Sequence, residues 1–212
     1  MSHRGPGRGF EGPDRRWDEA SCDPDVTGPG LEPQPRPLSL PGGPVTVSLL
    51  MTRIAQLLAA NKGYAAARAN VADPRPWRRM AVVTCMDARI DVFAALGLHL
   101  GEAHVIRNAG GRVTDDVLRS LALSSQVLGV DTVVVMQHTK CGLAGVSDEE
   151  LRKLTGADLG FFPIDDHAAA LREDIALLVE KSYLSPLQLI AGFIYDVESG
   201  EIEDVVHWER PA

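Results

Sequence analysis

Two short apolar runs rich in β-branched residues constrain the fold of this chain more than any other feature. The first is Ala81–Thr84 and the second is Asp131–Gln137. Runs of this length, apolar at consecutive positions, are typical of strands buried on both faces, and such strands occur in parallel sheets that are covered by helices. The two runs therefore predict an α/β fold with a mostly parallel central sheet.

Segments with helical periodicity alternate with further predicted strands. We predict helices over Ile90–Leu96, from an N-cap at Thr114 to Leu128, over Ser147–Leu154 and from Asp165 or Asp166 to Ser182, and strands over Ala103–Asn108, Leu187–Asp196 and Ile202–Trp208. In the last helix, Ala169, Ile175, Leu178 and Val179 are expected to face inward. The order β-α-β-α-β implies right-handed crossovers with helices on both faces of the sheet. The last two strands, around Glu198–Gly200, should form an antiparallel hairpin at one edge.

Metal-binding side chains follow two of the predicted strands. Cys85 comes directly after the first run, and His138 and Cys141 come after the second. If the strand order is 2-1-3-4-5, these two strands are neighbours and their carboxyl ends meet at one edge of the sheet. Two thiols and one imidazole are zinc ligands, and three ligands leave the fourth tetrahedral position open. The sequence therefore predicts one zinc ion per chain, with a free coordination position.

A carboxylate and a guanidinium stand beside the first predicted ligand. An arginine fork can hold a carboxylate in a bidentate pair, so Arg89 can aim Asp87 at a water in the open position. Zinc lowers the pKa of such a water from about 15.7 to about 7. Two alternatives stay open at this stage. Asp87 could ligate the metal directly when Arg89 swings away, or the two residues could form a simple surface ion pair.

Composition excludes several classes of partner and compartment. The formal net charge of −8 argues against nucleic acid, and no apolar stretch approaches the roughly 20 residues of a membrane-spanning helix. Only three cysteines occur, two of them in the predicted site, so we expect a reducing, cytoplasmic location. Cys22 is interpreted as an incidental exposed thiol. Four further histidines have no partner motif and are interpreted as surface or hydrogen-bonded residues: His99, His104, His167 and His207.

The first 44 residues differ in composition from the rest of the chain. They contain 8 Gly and 9 Pro and show no apolar periodicity. Such a segment cannot bury enough apolar surface to offset its ordering entropy, so we predict a disordered tail over residues 1–44 and one domain over residues 45–212. The domain begins with helical spacing in Val47–Ala60 and again in Tyr64–Ala69, which predicts an N-terminal helical arm.

Three motifs in this order resemble the beta-class carbonic anhydrases: Cys85–Arg89, Arg107–Gly111 and His138–Gly142. The similarity spans roughly residues 45–206 and is closest to a subgroup of short bacterial forms, although Ala88 stands where many members have serine. The resemblance implies that Cys85, His138 and Cys141 bind zinc and that Asp87 and Arg89 form a catalytic dyad. It further implies that the substrate pocket is lined by Asn108, Ala109, Gly110, Gly111 and Gly142.

The resemblance also implies an activity and an assembly. The expected reaction is the reversible hydration of carbon dioxide to bicarbonate and a proton by zinc-bound hydroxide, which makes the protein a zinc lyase with a small-molecule substrate. Hydrolysis of carbonyl sulfide or carbon disulfide at the same zinc site is an alternative, and a non-catalytic zinc or redox-sensing protein is another. The presence of Asp87 and Arg89 argues against the last, because neither is needed merely to hold a metal. A homodimer or homotetramer is expected, with the helical arm packed on a neighbouring subunit.

Overall fold

The computed structural model describes residues 47–68 and 73–211, and the chain divides into two units between Gly63 and Tyr64. Helix α1, Val47–Ala67, lies mostly in the first unit. It is one continuous helix, where the sequence suggested two segments. Three of its large apolar side chains are exposed: Ile54, Leu57 and Leu58. The predicted disordered tail, residues 1–44, lies outside the described residues.

The second unit alternates strands and helices in the predicted order. Its strands are β1 (Met80–Cys85), β2 (Ala103–Asn108), β3 (Thr132–His138), β4 (Leu189–Tyr195) and β5 (Ile202–Glu209). Its α-helices are α2 (Val92–Leu96), α3 (Asp115–Gln126), α4 (Asp148–Thr155) and α5 (His167–Glu180). Short 3₁₀ turns lie at Ala109–Gly111 and Ser182–Leu184. Among the described residues, no helix is both long and apolar enough to cross a membrane.

The five strands form one sheet in the order β2-β1-β3-β4-β5. The first four strands pair in parallel, and β5 pairs antiparallel to β4 at the edge. This confirms the predicted fold class and strand order. Strand β1 lies between β2 and β3, with Cys85 opposite Asn108 and Thr84 opposite Met136. The carboxyl ends of the three strands therefore meet, which places the residues that follow them side by side.

Buried side chains form one apolar cluster on each face of the sheet. Successive strand residues point to opposite faces, so Val83 and Val135 belong to one cluster and Val82 and Met136 to the other. Side chains of α3 and α5 complete the first cluster. The second is completed by Val92 of α2 and by residues that follow β3, and it includes the two buried cysteines. The second face therefore carries the predicted metal ligands.

Helix α5 begins where the sequence predicted, and its inward face is confirmed at Ile175 and Leu178 but not at the two other predicted positions. Asp166 caps it by accepting a hydrogen bond from Ala169 N at 2.7 Å, as expected. The inward side chains are Ala170, Leu171, Asp174, Ile175 and Leu178. The prediction was wrong for Ala169 and Val179, which are exposed. Apolar residues around Leu171 occupy more than one side of the helix, so the sequence alone does not show which side is buried. Packing against β3 and β4 determines it.

Candidate metal centre

Three side chains converge at the carboxyl ends of β1 and β3. Cys85 is the last residue of β1, His138 is the last residue of β3, and Cys141 lies in the loop that follows β3. All three are buried, and their ligand atoms lie within 4.8 Å of one another. The two sulfur atoms are 4.0 Å apart. The structure thus brings together the three residues that the sequence predicted as ligands.

The geometry of this cluster fits a zinc ion. In a tetrahedral site with Zn–S bonds of about 2.3 Å, the two sulfurs stand about 3.8 Å apart, close to the separation between Cys85 and Cys141. The Nε2 atom of His138 is buried and has no hydrogen-bond partner among the described residues. A buried nitrogen without a partner is costly, and a metal ion would satisfy it. One imidazole and two thiols form a zinc-type donor set.

The ring of His138 is oriented by the main chain. Its Nδ1 atom lies 2.9 Å from the carbonyl oxygen of Thr139. Because a carbonyl can only accept a hydrogen bond, Nδ1 carries the proton and Nε2 offers its lone pair to the site. A hydrogen-bonded second ring nitrogen is the usual arrangement for a metal-binding histidine.

The two sulfur atoms lie within hydrogen-bonding distance of each other. The pKa of Cys85 is lowered to about 4, chiefly by its hydrogen bond with Cys141, with smaller contributions from the His138 side chain and from the backbone of Asp87 and Gly110. The pKa of Cys141 is raised by its hydrogen bond with Cys85 and by the desolvation of the thiol. If both thiols lose their protons, two negative charges lie close together, and a bound divalent metal ion would neutralise them.

Asp87 and Arg89 form a bidentate pair in the turn after β1. Arg89 Nε donates to Asp87 Oδ1 at 2.9 Å, and Nη2 donates to Oδ2 at 2.7 Å. The Arg89 guanidinium holds the pKa of Asp87 well below its usual range. Asp87 Oδ2 lies 3.8 Å from His138 Nε2. The pair therefore borders the ligand set, with Asp87 ionised and held by Arg89.

Arg107 supports this turn, a role that sequence reasoning missed. From the end of β2, its guanidinium donates to three main-chain carbonyls in the turn after β1: Cys85 at 2.9 Å, Asp87 at 2.7 Å and Ile90 at 3.2 Å. One feature of the sequence could have indicated this role. Arg107 lies near the end of the strand that neighbours β1, and from there an arginine side chain can reach the turn after β1. Arg107 thereby holds the main chain on both sides of Asp87.

A hydrogen bond from a side chain to the main chain joins the turn after β1 to the loop after β3. Arg89 Nη2 donates to the carbonyl oxygen of Lys140 at 3.0 Å. Lys140 has a left-handed backbone with φ of 55°, which is uncommon for a residue other than glycine. Nothing in the local sequence indicated this conformation. Arg89 therefore contacts both the dyad carboxylate and the loop that carries Cys141.

The glycine turn after β2 packs against the ligand strands. Gly110 and Gly111 have φ of 75° and 64°. A Cβ atom on Gly111 would lie 2.9 Å from Cys85 N and 3.0 Å from Met136 O, so a side chain there would collide with both strands. Asn108 Nδ2 donates to the carbonyl of Arg112 at 2.8 Å, while its buried Oδ1 has no partner within the described chain. Close packing against both strands therefore requires glycine at position 111.

The remaining residues predicted for the pocket differ in exposure. Ala109 is half-buried in the same turn, whereas Gly142 is exposed in the loop after β3. Arg112 follows the glycine turn and ties it to α5 through a buried ion pair with Asp174 at 2.8 Å. Its guanidinium also contacts the carbonyls of Phe162 and Pro163.

The four histidines interpreted as surface or hydrogen-bonded residues all have polar partners. Their contacts are His99 with Glu102, His104 with Ser124 and Pro74, His167 with Gln137, and His207 with Asp204. None of them belongs to the metal-binding group found among the described residues. Cys22 lies outside the described residues.

Comparison with known proteins identifies the family. The sequence profile named Carbonic anhydrase matches residues 80–159. "Beta-carbonic anhydrase 1" of Mycobacterium tuberculosis is 35% identical over 161 residues, which cover 73% of this chain and 99% of the relative. The crystal structure of carbonic anhydrase from Streptococcus mutans superposes with a TM-score of 0.65 at 40% identity, covering 72% of this chain and 97% of that chain.

A relative with a different activity also matches. Carbon disulfide hydrolase from Acidithiobacillus thiooxidans is 33% identical over 151 residues, which cover 59% of this chain and 76% of the relative. The match to the mycobacterial protein extends over nearly all of that protein. From that match, and from a zinc-type ligand set at the predicted positions, we conclude that this chain is an enzyme of the zinc-dependent beta-carbonic anhydrase family.

Proposed function

We propose that this protein catalyses the reversible hydration of carbon dioxide to bicarbonate and a proton, with one zinc ion per chain held by Cys85, His138 and Cys141. One observation carries the proposal. The Asp87 carboxylate, held in a bidentate pair by Arg89, stands 3.8 Å from the free Nε2 atom of His138. A protein that only stores zinc or senses oxidants needs no fixed carboxylate at that place.

The chain's own residues have distinct tasks in this reaction. Bound zinc is a Lewis acid that lowers the pKa of water toward neutrality and so supplies a nucleophile for carbon dioxide. Asp87, whose pKa is lowered by Arg89, stays ionised and accepts a hydrogen bond from the nucleophile without removing its proton. This orients the nucleophile's lone pair toward the substrate carbon. Arg89 keeps both carboxylate oxygens in place.

We assign substrate contact to the glycine turn and to the loop after β3, as the family resemblance implies: Asn108, Ala109, Gly110, Gly111 and Gly142. The assignment is supported by the position of the turn, which lies directly against Cys85 and the end of β3.

Hydrolysis of carbon disulfide or carbonyl sulfide is the second candidate. The similarity to the carbon disulfide hydrolase of Acidithiobacillus thiooxidans supports it. The same ligands and the same Asp87–Arg89 pair would serve this reaction, because it also adds water to the carbon of a linear triatomic molecule. The two candidates differ in which substrate reaches the site.

The test compares both reactions on the zinc-loaded full chain. Stopped-flow measurement with a pH indicator follows carbon dioxide hydration, and a sulfide assay follows release from carbon disulfide and carbonyl sulfide. We expect rapid hydration, sulfide at background, and loss of hydration in the Asp87→Asn variant. Absence of hydration at full zinc occupancy would contradict the proposal, and sulfide release with the higher kcat/KM would establish the second candidate.

We also propose a homodimer or homotetramer and a dispensable tail. The exposed apolar side chains Ile54, Leu57 and Leu58 of α1 support an additional contact between subunits. Removal of residues 1–44 should leave activity unchanged, whereas removal of residues 1–69 should break the oligomer. Size-exclusion chromatography with the hydration assay tests both. The cytoplasmic location stays a prediction.

A further inference from the structure

Two main-chain carbonyls between the predicted ligands His138 and Cys141 point back into the site. The carbonyl of Thr139 accepts the Nδ1 proton of His138 at 2.9 Å. The carbonyl of Lys140 accepts a hydrogen bond from Arg89 Nη2 at 3.0 Å. The directions of these two carbonyls therefore orient one metal ligand and one member of the dyad.

The backbone that aims these carbonyls is strained. Lys140 has φ of 55°, a conformation that L-residues with a Cβ atom rarely adopt. Such a conformation persists only where the surrounding structure holds it, and strained residues of this kind cluster at functional sites. The contacts that hold Thr139 and Lys140 are thus a part of the site's architecture.

The turn between β4 and β5 supplies these contacts chiefly through Thr139, because the ion pair that Lys140 makes with Glu198 of the same turn is exposed and therefore weak. Thr139 N donates to the carbonyl of Tyr195 at 2.9 Å, and Val197 N donates to Thr139 Oγ1 at 3.1 Å. The Thr139 hydroxyl in turn donates to Asp196 Oδ2 at 3.4 Å. Asp196 Oδ1 accepts from Glu198 N and Ser199 N, both at 2.8 Å, which keeps the turn closed. The Thr139 hydroxyl is therefore inserted into a preformed turn.

We propose that Thr139 is a positioning residue of this site. Its hydroxyl, held by the β4–β5 turn, keeps Lys140 in its left-handed conformation and aims the two carbonyls at His138 and Arg89. Thr139 acts on metal retention through His138 and on the dyad through Arg89. The part that concerns the hydration rate rests on the proposed function, whereas the part that concerns metal retention does not.

The central experiment compares Thr139→Val with Thr139→Ser. Valine keeps the shape and removes the hydroxyl, and serine restores the hydroxyl. Zinc transfer from each full-length protein to a colorimetric chelator measures metal retention, and stopped-flow hydration measures kcat and KM. Because loss of a group that orients a ligand typically costs about 10- to 100-fold in metal affinity or activity, Thr139→Val should release zinc about tenfold faster and lose about tenfold in kcat. Thr139→Ser should stay within about twofold of the wild type in both.

A matched control is available in Thr155, at the end of α4. Its hydroxyl also donates to one partner and accepts from a backbone N–H, namely the carbonyl of Leu151 at 2.7 Å and Ala157 N at 3.3 Å. Thr155→Val should leave zinc release and kcat unchanged. Equal zinc release and equal kcat in Thr139→Val and the wild type would overturn the proposal. Equal losses in the Thr139 and Thr155 variants would do so too, because a general loss of stability would then explain them.

Glycine at position 140 tests the proposed route. Glycine adopts φ of 55° without steric cost, so Lys140→Gly should reduce the dependence on the hydroxyl. The double variant with Thr139→Val should therefore release zinc more slowly than Thr139→Val alone, and an undiminished defect would overturn the role of the Lys140 conformation.

The same measurements also decide the proposal if Thr139→Val does not fold or if the wild type does not hydrate carbon dioxide. If Thr139→Val does not fold, Thr139→Ala replaces it with the same expectations, because alanine removes the hydroxyl without placing a new methyl group in the turn. If the wild type holds zinc but does not hydrate carbon dioxide, the proposed function fails, and the zinc-release comparison still decides the role of Thr139.

Discussion

The turn after β1 and the loop after β3 each supply a thiol to the same site, but different kinds of contact hold them. The turn, residues 85–90, is tied to the neighbouring strand β2 chiefly by one side chain, because Arg107 donates to three of its carbonyls. The loop, residues 138–142, is held by the β4–β5 turn and contains a left-handed residue, Lys140. Support for the turn thus comes mainly from one long side chain, whereas support for the loop comes from the Thr139 hydroxyl and from a main-chain hydrogen bond to Tyr195.

These two regions meet at the ligand set, where the two sulfur atoms are 4.0 Å apart, and at a hydrogen bond from Arg89 Nη2 to the carbonyl of Lys140. The bond means that the dyad in the turn is positioned partly by the loop. A change in either region should therefore reach the other, and the size of each effect should depend on how directly the changed group contacts the metal or the nucleophile.

Ligand substitutions should have the largest effect, and it should be the same in both regions. Cys85→Ser and Cys141→Ser should each reduce zinc to below about a tenth of an equivalent, because a shell of three protein ligands has no spare member. Elemental analysis after dialysis measures this, with Cys22→Ser as the control that should keep full zinc. Full occupancy in Cys141→Ser would show that the two regions do not share one metal.

Substitution of the dyad carboxylate should separate metal binding from turnover. Asp87→Asn should keep zinc and lower kcat for hydration by about 100-fold or more, because the amide cannot replace the carboxylate as an acceptor on both oxygens. Stopped-flow kinetics on protein of known zinc content measures the change. Asp91→Asn, in the N-cap of α2, is the matched control and should retain activity. An unchanged kcat in Asp87→Asn would reduce the dyad to a structural ion pair.

The support of the turn should matter less than the dyad itself. Arg107→Lys keeps the charge but loses the planar fork that reaches three carbonyls, so we expect kcat to fall about tenfold with zinc retained. The same stopped-flow assay applies. Arg210→Lys is the control, since Arg210 also donates to a carbonyl, that of Leu187 at 2.8 Å, away from the ligand set. Equal kcat values for Arg107→Lys and the wild type would show that the turn holds its shape without this side chain.

The smallest effect should come from a change outside both regions. Ser147 and Glu150 form a capping box at the start of α4. Ser147→Ala should lower the free energy of unfolding by about 1 kcal/mol, with zinc content and kcat unchanged. Urea unfolding at pH 7 measures the difference. A change in zinc content would mean that α4 influences the loop after β3.

The loss of stability in Ser147→Ala should depend on pH, and the pKa of Glu150 determines the direction of this dependence. Backbone and side-chain hydrogen bonds with Ser147 lower the pKa of Glu150. A carboxyl group with a lowered pKa stabilises the folded state above its unfolded pKa of about 4.3, and this stabilisation is lost as the pH falls through the folded value. The difference in unfolding free energy between wild type and Ser147→Ala should therefore shrink below about pH 4. A difference that grows toward acid would contradict the assignment.

Local patterns predicted most of the elements but not every face. Ala103–Asn108 was predicted with the observed bounds, and the box at Ser147 was found from its spacing alone. On α5, Ala169 was predicted to face inward, whereas the buried residue is its neighbour Ala170. The reason is that an apolar stretch on a helix fits several faces equally well. Packing against the sheet resolves that ambiguity, and packing involves residues distant in sequence.

The sequence by itself predicted a parallel sheet with Cys85, His138 and Cys141 after the ends of two strands, because strand periodicity and the polar residues that follow it are local properties. The meeting of the three residues depended on the strand order, which the structure confirms. Only the tertiary structure decided how the site is held. The reach of Arg107 to three carbonyls, the left-handed Lys140 and the insertion of Thr139 into the β4–β5 turn depend on distances between separate segments. Such distances follow from how the whole sheet packs and twists, which no local pattern records.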